Sequence, residues 1–443
     1  MSDQPGLVRQ LRLGGVVLFG VGLMTPLIVL GTFGVVAGAT DGTVPTAYLL
    51  ALVAVLFTAA SYGKMAAAYP VAGSAYTYVR RALDSRLGFL VGWAVLLDYF
   101  FLPMVIWLIG TAYLSAQFPG VPRWTWLIGY IVLTTVLNVL GIRVAAKANF
   151  LLMAGQILVV GFFIALSVRQ VLAGGGTLVS ATPFVHQGSS VATISAGAAL
   201  AAYSFLGFDA VTTLTEETHD PARTIPRAIV LSALIGGGIF VVLAYAVQLV
   251  HPGAAFTDES SAGFEIAVAL GGNLFAAIVL AGLVIAQFAA GLAAQAGASR
   301  LLYAMGRDGV LPRRVFGVLQ PRFRTPAVAI ALTGGVGLIA LGLDVSTSTS
   351  FINFGAFTAF TFVNLSVIAR YVRHRGPVLS TVVCPAIGAL VNVWLLANLD
   401  GAALVLGLVW LALGVAYLAW LTRFFRVPPP ELTFAEPGLE KVG

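Results

Sequence analysis

The chain has 443 residues, 59% hydrophobic and only 9% charged, with 24 Lys and Arg against 17 Asp and Glu. A soluble domain carries about 25% charged residues, so this composition excludes a soluble enzyme or nucleic-acid-binding protein, and the excess of +7 is better read through its placement along the chain. The single cysteine, Cys384, excludes an internal disulfide and any CxxC redox or metal motif.

Apolar blocks long enough to cross about 30 Å of hydrocarbon as helix recur along almost the whole length. They predict an all-α membrane protein with twelve transmembrane helices, at about 13–38, 45–67, 87–116, 122–140, 147–171, 193–215, 227–250, 271–303, 326–343, 350–371, 377–399 and 403–424. The first block lacks a cleavable small-residue site and is too long for a signal peptide, so it is expected to be retained. Within it, Gly20-Val-Gly22-Leu-Met24-Thr25-Pro26 places two glycines and a proline at mid-membrane, where proline removes an N–H and crowds the preceding turn. The sixth block has its weak point at Ser204-Phe205-Leu-Gly207-Phe208-Asp209. Interruptions at corresponding places in two halves point to a carrier's binding site, because unwound backbone is tolerated only where it lines a cavity. Blocks one and six are five apart, which suits two inverted five-helix repeats, 13–171 and 193–371. Two further helices at 377–424 and cytoplasmic tails at 1–12 and 425–443 complete the expected organisation.

Placing Lys and Arg in alternate loops puts all but Arg123 and Arg169 on one side, so both termini are expected in the cytoplasm. The four histidines, His186, His219, His251 and His374, fall in expected loops without ligand spacing, and no metal or cofactor is expected. Gly20-x-Gly22 lacks the strand that a dinucleotide loop needs. The sequon at Asn364-Leu-Ser366 lies inside a span.

Asp98 in span three and Asp209 in span six are the two acids that cannot be assigned to loops, tails or span ends, and neither has a Lys or Arg neighbour on its own helix. Each is either a hydrogen-bonded structural acid or a counter-ion or proton site. An ammonium entering a dry cavity loses hydration worth several kcal/mol unless charge and hydrogen bonds replace it, and either aspartate can supply that charge. Aromatic faces add about 0.5–2 kcal/mol each by cation–π attraction. The candidates are Tyr99, Trp107, Tyr203, Phe205 and Phe208, with Tyr99 and Tyr203 singled out for their closeness to an acid or a break. Asn353 in span ten is a ligand or a helix-packing amide. The exit after span six, with Glu216, Glu217, Arg223 and Arg227, reads as a gate facing Arg307 and Asp308, or as helix capping.

Four stretches resemble the amino acid–polyamine–organocation transporter superfamily: Ser61 to Arg80 with Gly88-x-x-x-Gly92-Trp93; Gly207-Phe-Asp209 with Glu216-Glu217, Asp220-Pro221 and Ile225-Pro226-Arg227; Ser299 to Pro312; and Arg324-Thr325-Pro326. Within it the chain is most similar to bacterial putrescine importers, through Leu23-Met-Thr-Pro26, Asp41-Gly-x-Val-Pro45, Leu97 to Met104, Ser204 to Leu214 and Ile352 to Ala356. The resemblance implies a LeuT-like fold, a substrate held midway between spans 1, 3, 6, 8 and 10, and alternating access. It implies substrate contacts at Met24, Thr25, Pro26, Asp98, Tyr99, Tyr203, Ser204, Phe205, Gly207, Phe208, Asp209 and Asn353. Gating or coupling falls to Asp98, Asp209, Glu216, Glu217 and Gln156.

The chain departs from the family pattern at three places. Met24-Thr25-Pro26 replaces the Gly-Ser-Gly-like break whose N–H groups hold a carboxylate, which favours an amine without one. Gly31 stands where the importers carry an acid, which leaves room for a shorter or singly charged amine. Gln156 stands where some proton-coupled relatives have lysine, so any proton must use a carboxylate. The expected function is a secondary importer of a putrescine-like cation, working from the lipid bilayer on a small-molecule substrate without nucleic acid. The alternative is an amino-acid permease or an amino acid/amine exchanger. A reporter that fluoresces only in the cytoplasm, fused after Gly443, is expected to be bright; a stable dark fusion reverses the orientation.

Overall fold

The computed structural model describes residues 11–70, 75–141 with 74, 146–185, 188–373 and 375–431. Among these residues every regular element is helical, and the one isolated bridge joins Leu11 to Thr218. The helices are α1 (Leu13–Leu23), α2 (Ile28–Thr40), α3 (Val44–Ala68), α4 (Ser74–Ala82), α5 (Ser85–Gln117), α6 (Arg123–Val139), α7 (Ala146–Ala173) and α8 (Val191–Ala201). There follow α9 (Pro221–Val250), α10 (Ala262–Arg307), α11 (Arg313–Phe316), α12 (Ala327–Val336), α13 (Val345–Arg373), α14 (Cys384–Ala397) and α15 (Gly401–Leu421). Backbone groups in lipid have no water to bond, so a helix, which satisfies them internally, is the form this chain's apolar blocks can take.

Nine helices among the described residues are long and apolar enough to cross a membrane, and α1 with α2 forms a tenth crossing bent by 48°. The remaining two expected spans are helical but shorter. Helix α6 has 17 residues, somewhat under the ~20 that span hydrocarbon upright, and α12 tightens after ten residues into the 3₁₀ turn Gly337–Gly342. Span eight, expected from 271, begins instead at Ala262 and is interrupted at Gly272, whose φ of 66° and ψ of −169° suit only glycine. Span eleven opens with a π-helical turn, Leu379–Val383, ahead of α14. Such boundaries escape a hydropathy reading because hydropathy records side-chain polarity and not how the backbone is wound.

The bundle is held by packing and by polar cross-links between helices distant in sequence. The longest contact surfaces pair α3 with α9, α5 with α10, and α13 with α5 and α14. Asn364 on α13 accepts from Ser61 Oγ at 2.6 Å and donates to Thr58 Oγ1 at 3.2 Å, and Asn392 on α14 donates to the same threonine at 2.9 Å. Both Asn364 and Thr58 are wholly buried, so the sequon is part of the helix packing. Between α6, α10 and α12, Asn138 donates to Gln295, whose amide nitrogen donates in turn to Thr135 and to the Ile330 carbonyl.

The last helix is fastened by a reciprocal pair. The Trp93 indole donates to the Trp410 carbonyl and the Trp410 indole to the Trp93 carbonyl, both at 2.9 Å, with the rings stacked at 5.1 Å. Replacing Trp410 by Phe leaves one carbonyl without its partner while keeping most of the ring contact. It is expected to lower folded-state stability by about 1–3 kcal/mol, read as a fall in melting temperature in detergent, with insertion intact.

Candidate functional site: two broken helices and two carboxylates

Span one breaks because its sequence cannot continue the helix. Pro26 has no N–H, and the residue before a proline is pushed out of the α region. Thr25 accordingly takes φ of +50°, a conformation that is strained for a β-branched residue and characteristic of functional sites. Its hydroxyl turns back to the Leu23 carbonyl at 3.4 Å. Helix α2 then starts at Ile28 without a side-chain cap; the Ile28 and Leu30 N–H groups donate to the Thr25 and Leu27 carbonyls at 2.8 and 3.1 Å, and the positive end of the helix dipole lies at the break.

Span six breaks after α8. After Ala201 the chain tightens into the 3₁₀ segment Ala202–Phe205, turns through Leu206–Asp209, and resumes as the 3₁₀ segment Ala210–Glu217. Gly207, at φ +112°, lies against the end of α1: a Cβ there would come within 2.9 Å of the Leu23 Cβ. The two breaks therefore touch. The segment before the turn contacts α3, α9 and α13, and the one after it contacts α1, α4 and α9.

The carbonyls that α8 frees are met from α13. Asn353, wholly buried, donates through Nδ2 to Ala199 at 2.7 Å and Leu200 at 3.5 Å. Its amide nitrogen is thus engaged in holding the broken helix, the packing alternative for this residue, and its Oδ1 is buried without a partner. On the opposite side, Tyr48 of α3 bonds both Ser204 Oγ and Thr32 Oγ1 at 3.0 Å, and Thr32 donates to the Ile28 carbonyl at 3.1 Å. This chain of hydroxyls ties α2 to the break in span six. Tyr48 carries no charge and lies in an ordinary apolar run; the signal for its role is a contact 156 residues distant, which no local pattern encodes.

The other expected site residues separate into packing and lining groups. Met24 is 2% exposed and packs over Gly236 of α9. Phe205 sits edge-on to Phe240 at 5.2 Å and beside Tyr48, while Phe208 is enclosed by Tyr62 at 5.8 Å and Phe360 at 5.3 Å. Trp107 is wholly buried in α5. By contrast Thr25, Asp98, Tyr99, Gly207 and Asp209 are partly accessible, although Leu97, Tyr203, Phe205 and Phe208 next to them are buried.

The two aspartates share one electrostatic neighbourhood. Asp98 of α5 and Asp209 interact, Tyr99 lies within electrostatic reach of both, Tyr203 of Asp98, and Tyr62 and Tyr78 of Asp209. The Asp209 carboxylate lies within electrostatic reach of the Gly207 and Ala210 backbone and of the Ser74 side chain. Asp98 is less provided for: its Oδ1 is buried without a hydrogen-bond partner. Neither aspartate forms an ion pair among the described residues. Gln156 on α7 is 8% exposed, and its Oε1 is likewise unpartnered. No group of three His, Cys, Asp or Glu able to hold a metal occurs among the described residues.

At the exit of span six, the Leu11 N–H donates to the Glu217 carbonyl and the His219 N–H to the Leu11 carbonyl, both at 3.0 Å. Arg223 pairs with Asp220 at 3.8 Å, and Arg307 with Asp308 at 2.8 Å. The Glu216 side chain, His186 and His374 lie outside the described residues.

Membrane helices broken at their centre, with carboxylates and strained backbone where they meet, define a solute carrier. The chain belongs to the amino acid permease family, whose model matches residues 15–399. It is 42% identical to the low-affinity putrescine importer PlaP of Escherichia coli K12 over 96% of both chains. It is 27% identical to the branched-chain amino acid permease BcaP of Bacillus subtilis over 94% of this chain and 93% of that one. The methylthioribose transporter of Bacillus subtilis is 28% identical over 93% of both. The protein is accordingly a multi-pass membrane transport protein and not an enzyme.

Gly207→Ala places a methyl against Leu23 and an L side chain at a φ it rarely adopts. It is expected to destabilise the fold by more than about 1 kcal/mol, measured by the thermal midpoint of purified protein, and to depress uptake together with it.

Proposed function

We propose that this protein is a secondary active transporter that imports a small organic cation, putrescine-like, by alternating access and with proton coupling. The observation that carries the proposal is the pair Asp98 and Asp209: two carboxylates in one electrostatic neighbourhood, without a cationic partner among the described residues. An ionisable group at the bilayer centre costs about 2.5 kcal/mol or more, and two that repel one another cost more. An ammonium group or a proton arriving between them removes that cost, which is the differential stabilisation a carrier cycle needs. Asp98 Oδ1, left without a bond, is the acceptor such a guest would satisfy, and the Tyr99 ring supplies a cation–π face. The identity to a putrescine importer along nearly the whole chain supports the substrate class.

In this reading Thr25, Asp98, Tyr99, Gly207 and Asp209 line the substrate position and Tyr203 closes one side. Pro26 keeps the break open, while Met24, Ser204, Phe205, Phe208 and Asn353 hold its walls. Asp98 and Asp209 carry the proton, with Gln156 as a fixed dipole, and Glu216 and Glu217 belong to a gate at the exit. The architecture is taken as twelve spans, with inverted repeats at 13–171 and 193–371, accessory helices at 377–424, and both termini in the cytoplasm. The supporting feature is that the breaks at residues 24–27 and 202–209 fall in the first and sixth spans and meet in space.

A second reading, an amino-acid permease, is favoured by one feature. The uncapped start of α2 points the positive end of a helix dipole into the membrane, as a substrate carboxylate would require. Membership of a family that includes a branched-chain permease supports it.

Asp98→Asn and Asp209→Asn, made separately, are each expected to reduce putrescine uptake into proteoliposomes at least about tenfold, equivalent to about 1.4 kcal/mol, with membrane yield unchanged. Undiminished transport by both variants removes the carboxylate site. Counterflow of a neutral amino acid that excess diamine does not inhibit selects the permease instead.

A further inference from the structure

On the Lys- and Arg-rich side of the bundle, α3 and α9 enclose an open groove of about 670 Å³. Its α3 wall is built from positions 60, 63, 64 and 67 and its α9 wall from 222, 223, 226, 227, 230 and 231, spacings that put each set on one helix face. Gly63 and Pro226 come together between the walls: a Cβ on the glycine would sit 3.3 Å from the proline. The groove is two-faced. Lys64, Arg223 and Arg227 bring three positive charges to it, while Ala60, Ala67 and Val230 give it an apolar floor.

The charge is only partly answered. Arg223 meets Asp220 at 3.8 Å in a pair whose side chains are 79% and 61% exposed, and such exposed pairs hold their partners weakly. Lys64 donates to the Ser380 carbonyl, which fixes the amine at the rim without neutralising it. Arg227 is exposed and forms no ion pair among the described residues. None of these cations forms an ion pair with Asp98 or Asp209 among the described residues.

A soluble anion would satisfy the cations and leave the apolar floor uncovered, and a neutral lipid would do the reverse. We propose that the α3–α9 groove binds an anionic phospholipid. Its phosphodiester lies among Lys64, Arg223 and Arg227, and an acyl chain runs along Ala60, Ala67 and Val230. Basic pockets between membrane helices recognise lipid headgroups in this way, and Arg227, with its planar fork of donors, suits a phosphate oxygen pair.

The test is native mass spectrometry of the full-length protein in detergent with phosphatidylglycerol or phosphatidylcholine of identical acyl chains. The unaltered protein is expected to retain phosphatidylglycerol preferentially. K64Q/R223Q/R227Q is expected to lose that preference by about tenfold, and R313Q/R314Q, on exposed α11, to keep it. Equal retention by the triple variant overturns the proposal, as does equal binding of the two lipids. Displacement of phosphatidylglycerol by millimolar inorganic phosphate shows an anion site without a lipid role and overturns it too. Should the triple variant not fold, R227Q alone and A67W, which fills the floor and leaves the cations, are each expected to weaken phosphatidylglycerol retention severalfold; no change in either overturns the assignment.

Discussion

A hydrocarbon interior offers no solvent to a peptide group, so every place where a helix unwinds inside the bilayer must be met by some other part of the same chain. This protein unwinds two spans where they touch and meets the requirement from three directions. Asn353 reaches from α13 to the carbonyls at the end of α8, Tyr48 reaches from α3 to Ser204 and Thr32, and Gly207 lets the second break lie against the first. Removing any of these leaves a polar group stranded or two backbones colliding. The helices around the breaks are therefore a scaffold for irregular backbone, and Asp209 sits on that irregular backbone while Asp98 sits on the unbroken α5.

The same constraint explains which aromatic residues are free to meet a guest. Phe205 and Phe208 are enclosed by rings from α3, α9 and α13, so they fix the shape of the turn rather than present a face. Tyr99, one residue from Asp98 on a helix that remains intact, keeps partial access. An unbroken α5 beside a broken span six thus sets an acid and aromatic pair carried on a continuous helix near an acid carried on a turn.

How much of this is legible in the sequence depends on the range of the interaction. The break in span one is announced locally by Pro26, and the two unassigned acids are visible because a charge stands out in an apolar run. The weak point of span six is marked by Gly207. Asn353 stands out as an amide in a span, with packing as one of its two readings, but its partner 154 residues away is not visible; Tyr48 is not visible at all, since its contact lies 156 residues away and it breaks no local rule. Span ends are obscured for a different reason: Gly272 and the tightening of α12 lie within apolar stretches, and the π turn at 379–383 differs from an α-helical turn only in its backbone bonding. The exit after span six reads as a set of charges, whereas the bonds that fix it are backbone bonds to Leu11, which side-chain chemistry cannot reveal.

The pairing of Leu11 with Glu217 and His219 joins two distant parts of the chain. Two backbone hydrogen bonds attach Leu11, just ahead of α1, to the strip that follows the break in span six. Any rearrangement that draws this strip away from α1 must either part those bonds or carry Leu11 with it. Leu11, Glu217 and His219 are consequently the points at which the entry to α1 and the continuation of span six are obliged to shift as one piece.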